Sequence, residues 1–232
     1  MTGFPRYAIY FAPARNSALA VFGAELLGYD AHTGHDLAFP ADAERVAPDW
    51  REITGDARKY GFHATLKAPM ALAPGRTEAD LIAACAAFAG TTRPVPVIRP
   101  VVDAISGFIA VIPAEPVDAL QQLAAACVRD FDSFRAALTA EDRARRKPEK
   151  LGERQRDHLD RWGYPHVFED FRFHMTLTGR LDAERRGPIL EMLRERFDAL
   201  RIDSLAIDRI ALFRQADATA RFRIIGEWGL TT

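Results

Sequence analysis

Two cysteines in 232 residues, Cys85 and Cys127, are too few for a disulfide-built scaffold, and neither stands in a metal-ligand spacing. Both sit in alanine-rich runs that read as helices, so they are expected to be small buried hydrophobes and not nucleophiles. An excess of one charge is also missing. Lys and Arg total 31 against 32 Asp and Glu, for a formal charge of −1, which gives no global pull toward nucleic acid or an anionic membrane. Long apolar runs are missing too: stretches such as Leu81–Ala89 are too short to cross a bilayer. The opening Met-Thr-Gly-Phe-Pro-Arg-Tyr has no basic segment followed by an apolar one, so a cytoplasmic protein with no membrane partner is expected.

Histidine is scarce as well, at six residues, yet two fall inside one repeated frame. Phe62-His63-Ala64-Thr65-Leu66 recurs as Phe173-His174-Met175-Thr176-Leu177. Each copy lies in an apolar run that reads as a strand, over Tyr60–Lys67 and Phe171–Thr178. Side chains alternate faces along a strand, so His63 points with Thr65 and His174 with Thr176. Two imidazole–hydroxyl pairs facing one cleft would supply an acid, a base and two hydrogen-bond donors.

The elements around the motifs also repeat. Strand Arg6–Ala12, helix Ser17–Leu27, a polar segment to Lys59, the first motif strand, helix Glu78–Phe88 starting at Thr77, and strand Val95–Ile105 make one series. Strand Phe108–Pro113, a helix from Val117 to about Phe131, a polar segment to about Glu169, the second motif strand, helix Ala183–Leu200 and strands near Leu205–Phe213 and Arg221–Trp228 make the other. The expected organisation is a single bilobal domain, with one repeat over about 1–105 and the second over about 106–232. A charged helical excursion spans about 132–165. Between Thr139 and Arg161 it carries eight Lys or Arg and six Asp or Glu, and reads either as a basic lid over an anionic substrate or as a solvated helical insertion.

Hydrolysis of a phosphodiester needs water deprotonated on one side of phosphorus and the leaving oxygen protonated on the other. Histidine, with an unperturbed pKa of about 6.5, can do either. One histidine from each repeat covers both roles without a metal or other cofactor. The threonine hydroxyls can donate to the non-bridging oxygens. A metal site is less attractive, because no carboxylate or second imidazole occupies the partner position of either His-x-Thr. His32 and His35 read as loop residues, and His158 and His166 are expected to take no acid–base part.

On these motifs the chain resembles the two-histidine (2H) phosphoesterase superfamily, whose signature is a duplicated His-x-Thr/Ser on paired strands. More narrowly, Arg6–Pro13, Tyr60–Lys67 and Phe171–Gly179 are similar to a bacterial subfamily found with phosphonate-degradation genes. The resemblance implies an α+β fold of two antiparallel sheets flanking a central cleft, with helices outside. It implies metal-independent opening of a cyclic phosphodiester on a small ribose or nucleotide phosphate, such as a ribose 1,2-cyclic phosphate. Catalytic His63 and His174 and substrate-binding Thr65 and Thr176 follow from the motif. Lys67 and Arg172 join them by strand alternation, Tyr7 mainly by the resemblance. Tyr60 is odd relative to His63 and reaches the cleft only if its strand begins later. An enzyme acting on 2′,3′-cyclic RNA ends or 2′–5′ linkages, and a non-catalytic module binding a nucleotide or cyclic phosphate, are the alternatives.

Overall fold

A computed structural model describes residues 3–231. Its strands are β1 Arg6–Phe11, β2 Tyr29–Asp30, β3 His35–Asp36, β4 Ala64–Ala71, β5 Val97–Ile98, β6 Pro100–Ile105, β7 Phe108–Pro113, β8 Met175–Thr176, β9 Leu205–Ala206, β10 Arg209–Gln215 and β11 Arg223–Gly229. Its α-helices are α1 Ala18–Leu27, α2 Ala41–Val46, α3 Trp50–Ile53, α4 Gly55–Arg58, α5 Glu78–Ala89, α6 Asp118–Asp130, α7 Ala140–Arg145, α8 Glu153–Trp162 and α9 Ala183–Asp198. Residue chemistry sets the helix starts. Ser17 caps α1, and at α5 Thr77 and Asp80 form a reciprocal capping box that satisfies two otherwise orphaned backbone donors.

Seven strands run in the order β11-β10-β1-β4-β8-β7-β6, with every pairing antiparallel. The sheet is two antiparallel halves meeting at β4 and β8, the two motif strands. That order carries the duplication: β1, β4 and β6 of the first series correspond to β7, β8 and β10 of the second, and swapping the two sets reverses the order β10-β1-β4-β8-β7-β6 onto itself. β6, the last strand of the first series, and β10 of the second are exchanged. β6 pairs with β7 across the expected repeat boundary near residue 105, and β10 pairs with β1, so the halves of the sheet are not the halves of the sequence.

One face of the sheet is the main core. Phe11 pairs with Ala64, Ala64 with Met175, and Met175 with Val111, and all four side chains are buried in one hydrophobic cluster. Helices α1, α5, α6 and α9 contribute Leu26, Leu81, Leu123 and Leu193 to it. A smaller cluster of Ala8, Tyr10, Phe213 and Phe222 lies on the other face.

The motif strands differ from their sequence expectation in extent. β4 begins at Ala64, not at Tyr60, because the chain turns at Gly61 (φ +76°); a Cβ there would come within 2.7 Å of the Ala31 methyl. β8 keeps two residues of the eight expected. On one side Pro113 of β7 has no N–H to extend the ladder; on the other, a register shift in β4 follows Thr65. The polar segment before β4 forms the β2–β3 hairpin and the short helices α2 to α4, held by the buried Trp50, whose Nε1 donates to the Leu26 carbonyl at 2.8 Å. No helix among the described residues is long and apolar enough to cross a membrane.

Candidate active site

Ala64 of β4 lies opposite Met175 of β8, and both point into the core. Continuing that antiparallel register by one residue each way sets Thr65 across from His174 and His63 across from Thr176. All four motif side chains therefore share the face opposite the core, in two cross-strand imidazole–hydroxyl pairs. The neighbouring strands extend the same surface, with Tyr10 beside Thr65 and the small Ala110 beside Thr176.

The same local bond orients both imidazoles. His63 Nδ1 lies 2.8 Å from the Gly61 carbonyl and His174 Nδ1 lies 2.7 Å from the Arg172 carbonyl, two residues upstream in each case. A carbonyl only accepts, so Nδ1 carries the proton in both rings and each neutral Nε2 is left as a base. The Thr65 hydroxyl donates to His63 Nε2 over a long 3.4 Å.

The two rings differ in surroundings. His63 stacks on the buried Tyr10 ring at 3.9 Å and 23°, with Phe213 at 5.8 Å and Tyr60 at 5.9 Å. Burial lowers its pKa to about 4, aided by the nearby His174 and opposed by the bond to Gly61. Among the described residues His174 has one ring neighbour, Phe108 at 5.4 Å, and it lines two cavities, of about 540 Å³ and about 650 Å³. Burial lowers its pKa as well, opposed by the Arg172 carbonyl. The larger cavity is walled by Glu52, Asp56, Thr176 and Arg180; the smaller holds Thr65, Tyr164, His166, Arg172 and Arg154.

Of the other residues expected here, Arg172 is exposed and lines the smaller cavity with His174. Tyr60 reaches the His63 side because β4 starts after it; its ring stacks on Phe222 at 5.0 Å. Lys67 and Tyr7 are not brought to the cleft. Thr65 pairs with Tyr10 but Lys67 pairs with Ile9, so two residues of β4 oppose one of β1 and the alternation flips between them. Lys67 is turned inward, 4% exposed, and its Nζ donates to Asp132 at 2.9 Å and to the Val128 carbonyl at 2.8 Å. Tyr7 follows Ile9 onto the core face, where its hydroxyl donates to Glu78 at 2.9 Å.

Sequence reasoning missed Tyr10 and Tyr164 and discounted His166. Tyr10 could have been found: it is three residues before Pro13 on the strand that flanks the first motif. His166 lines the cleft, its pKa lowered by burial and by Arg146, His174 and Arg172, against Asp170. Within the charged excursion Arg143 pairs with Asp160 and Arg146 lies over the Tyr164 ring at 5.0 Å, while Arg154 ties the excursion to Asp170, ahead of the second motif. The cysteines are buried, with Cys85 pushed up to about 12 and Cys127 also raised, both by burial, so neither is poised as a thiolate. Among the described residues, no three His, Cys, Asp or Glu side chains gather where they could hold a metal ion.

The family described as "Protein of unknown function (DUF1045)" matches residues 65–223, and the chain belongs to it. Its paired His-x-Thr strands carry the signature of the two-histidine phosphoesterases. A "Ribose 1,5-bisphosphate phosphokinase PhnN" of Janthinobacterium sp. (strain Marseille) is 37% identical over 231 residues, covering 94% of this chain and 49% of that protein. One of the same name from Laribacter hongkongensis (strain HLHK9) is 34% identical, covering 94% and 50%. The chain thus spans about half the length of the curated relatives it matches. Among solved structures it is similar to E. coli LigT complexed with NADP+, at 19% identity and a TM-score of 0.41, with 98% of each chain covered.

Proposed function

We propose that this DUF1045 chain is a metal-independent phosphodiesterase that opens the cyclic phosphodiester of a small ribose phosphate. The cross-strand register carries the reading. It sets two imidazoles and two threonines on one face, each imidazole tied through Nδ1 to a carbonyl, which leaves Nε2 as its basic nitrogen. In the proposed reaction His63, neutral and the more enclosed, takes a proton from water through Nε2 as the water oxygen bonds to phosphorus. The ring P–O bond breaks, and His174, charged by the arriving anion, gives its Nε2 proton to the leaving oxygen. Thr65 and Thr176 donate to the non-bridging oxygens, where charge is held as the ring opens.

The relatives' name supports a ribose phosphate as the class of substrate and phosphonate breakdown as its setting. This chain has no Gly-x4-Gly-Lys-Ser/Thr loop, so we assign the kinase activity of that name to the half of the relatives it does not match. A second reading, hydrolysis of 2′,3′-cyclic RNA ends, is favoured by the rings of Tyr60, Tyr164 and Phe108 around the cleft, which could stack bases. The test is turnover, in excess EDTA, of ribose 1,2-cyclic phosphate and the four nucleoside 2′,3′-cyclic monophosphates. Preferred hydrolysis of the ribose compound supports the leading reading and preference for the nucleotides the second. No turnover of any of them, or activity lost to EDTA and restored by zinc or manganese, overturns both.

A further inference from the structure

Most arginines of this chain that reach a carboxylate do so in surface pairs, such as Arg194–Asp103, Arg196–Asp42, Arg209–Asp208 and Arg221–Asp36. One cluster breaks the pattern. A cavity of about 270 Å³ on the Tyr60 side of the cleft is lined, among the described residues, by Arg6, Lys59, Arg135, Arg145 and Arg146 and by a single carboxylate, Asp142. Arg145 is taken by Asp142, and Arg135 by Asp132 and the Arg161 carbonyl. Among the described residues Arg6, Lys59 and Arg146 have no carboxylate partner. Arg6 Nε donates to the neutral Gln215 amide oxygen at 2.9 Å, and Arg146 lies over the Tyr164 ring.

Such an arrangement is costly when empty. Arg6 is half-buried, and burial lowers its pKa, with the nearby Arg145 and Arg146 adding to the effect and Tyr60 and Tyr10 opposing it. Three elements far apart in sequence build it: β1 gives Arg6, the turn before β4 gives Lys59, and the end of α7 in the charged excursion gives Arg146. Two tyrosines link the cavity to the histidines. Tyr60 lines it and lies 5.9 Å from the His63 ring, and Tyr164, beneath Arg146, lines the cleft with His174 and Thr65.

We propose that this cavity binds a second phosphate of the substrate, a monoester on the same small molecule whose cyclic diester lies between His63 and His174. The proposal rests on the phosphodiesterase reading for the diester and extends it to a doubly phosphorylated ribose. Guanidinium groups suit such a dianion, since their paired N–H donors match two phosphate oxygens at once. The excursion then acts as a specificity clamp, bringing Arg146 to the group that an unphosphorylated ribose lacks.

The experiment compares kcat/KM on ribose 1,2-cyclic phosphate and on its 5-phosphate derivative for wild type, Arg146→Ala and Arg6→Gln. Calorimetric binding of ribose 5-phosphate, which has no diester, is measured alongside, and thermal melts check folding. Wild type is expected to prefer the phosphorylated substrate, and each variant to reduce that preference roughly tenfold or more, the value of a charge-assisted contact. Ribose 5-phosphate is expected to bind wild type and to weaken by a similar factor in Arg146→Ala, which lies at a helix end and leaves the core untouched. Turnover of both substrates with no preference overturns the second-phosphate site and leaves the phosphodiesterase intact. Binding that depends on Arg146 with neither diester hydrolysed keeps the phosphate site and overturns the phosphodiesterase. Should the variants lose as much on a dinucleotide ending in a 2′,3′-cyclic phosphate, the cavity reads an RNA backbone and the proposal falls.

Discussion

The two motif strands share the frame Phe-His-x-Thr-Leu and differ in almost everything else except how they hold the imidazole. β4 has eight residues and stacks His63 on the buried Tyr10 ring. β8 has two, ends against a proline on its neighbour, and leaves His174 lining two cavities. Common to both is the Nδ1–H bond to the carbonyl two residues upstream, which fixes ring and tautomer alike. Duplication supplied two equal bases, and unequal packing makes the proposed division of labour between base and acid.

The largest effect expected is on turnover. His63→Ala or His174→Ala removes one half of a proton-transfer pair, which typically costs ~10²–10⁴ in kcat/KM. Because the pair acts as a unit, the double variant should lose far less than the product of the single losses. A histidine variant that folds and keeps near-wild-type rates would make that imidazole structural and raise the non-catalytic binding module in its place. Next come the hydroxyls. Thr65→Val and Thr176→Val keep shape but delete a donor to the developing charge, a change worth about 2.7–4 kcal/mol in the best-studied sites. If the strands divide as described, both losses fall on kcat more than on KM; a change in KM alone would assign the hydroxyls to ground-state binding.

A smaller effect separates the strand beyond the bulge from the strand before it. Lys67 braces the 131–135 segment from inside, so Lys67→Met should lower stability by about 1–3 kcal/mol in a denaturant melt. Catalysis should stay within a few-fold, since Asp132 keeps Arg135. A large loss of turnover without a loss of stability would return Lys67 to the substrate. The smallest effect is on stability against pH. The folded His63 binds its proton only near pH 4, against 6.5 for the free side chain, so in that window the unfolded chain holds more protons. Stability should therefore fall as pH drops from 6.5 toward 4, and His63→Gln should fall less steeply over the same range; parallel curves would contradict the burial of that ring.

The frame His-x-Thr, its duplication and the face parity of each pair could be read from residues alone, because strand alternation is local. Helix starts such as Thr77 were equally legible, since the capping side chains lie within one turn. The misplacement of Lys67 had one cause. A bulge is a property of two strands together, and nothing in Thr65-Leu66-Lys67 alone announces that β1 offers one residue against two. The pairing of β1 with β10 was hidden for the same reason, as partners such as Arg6 and Gln215, 209 residues apart, leave no mark on either segment, whereas β6 and β7 form a hairpin through Ser106-Gly107 that the expected repeat boundary cuts. His166 and Arg146 belong to irregular chain, where no periodicity tells which way a side chain turns.

The central claim is that His63 and His174 work on one phosphate as base and acid, and the pH dependence of kcat/KM for wild type and the two histidine variants on one cyclic phosphate tests it most directly. Both pKa values are lowered in the free protein, so the wild-type bell should lie on the acid side of neutrality, with the lower limb near pH 4 from His63 and the upper limb, below the usual 6.5, from His174. The residual activity of His63→Ala should lose the acid limb and that of His174→Ala the alkaline limb. Both limbs persisting unchanged in either variant would show that the proton moves through some other group, and the paired-histidine account would be wrong.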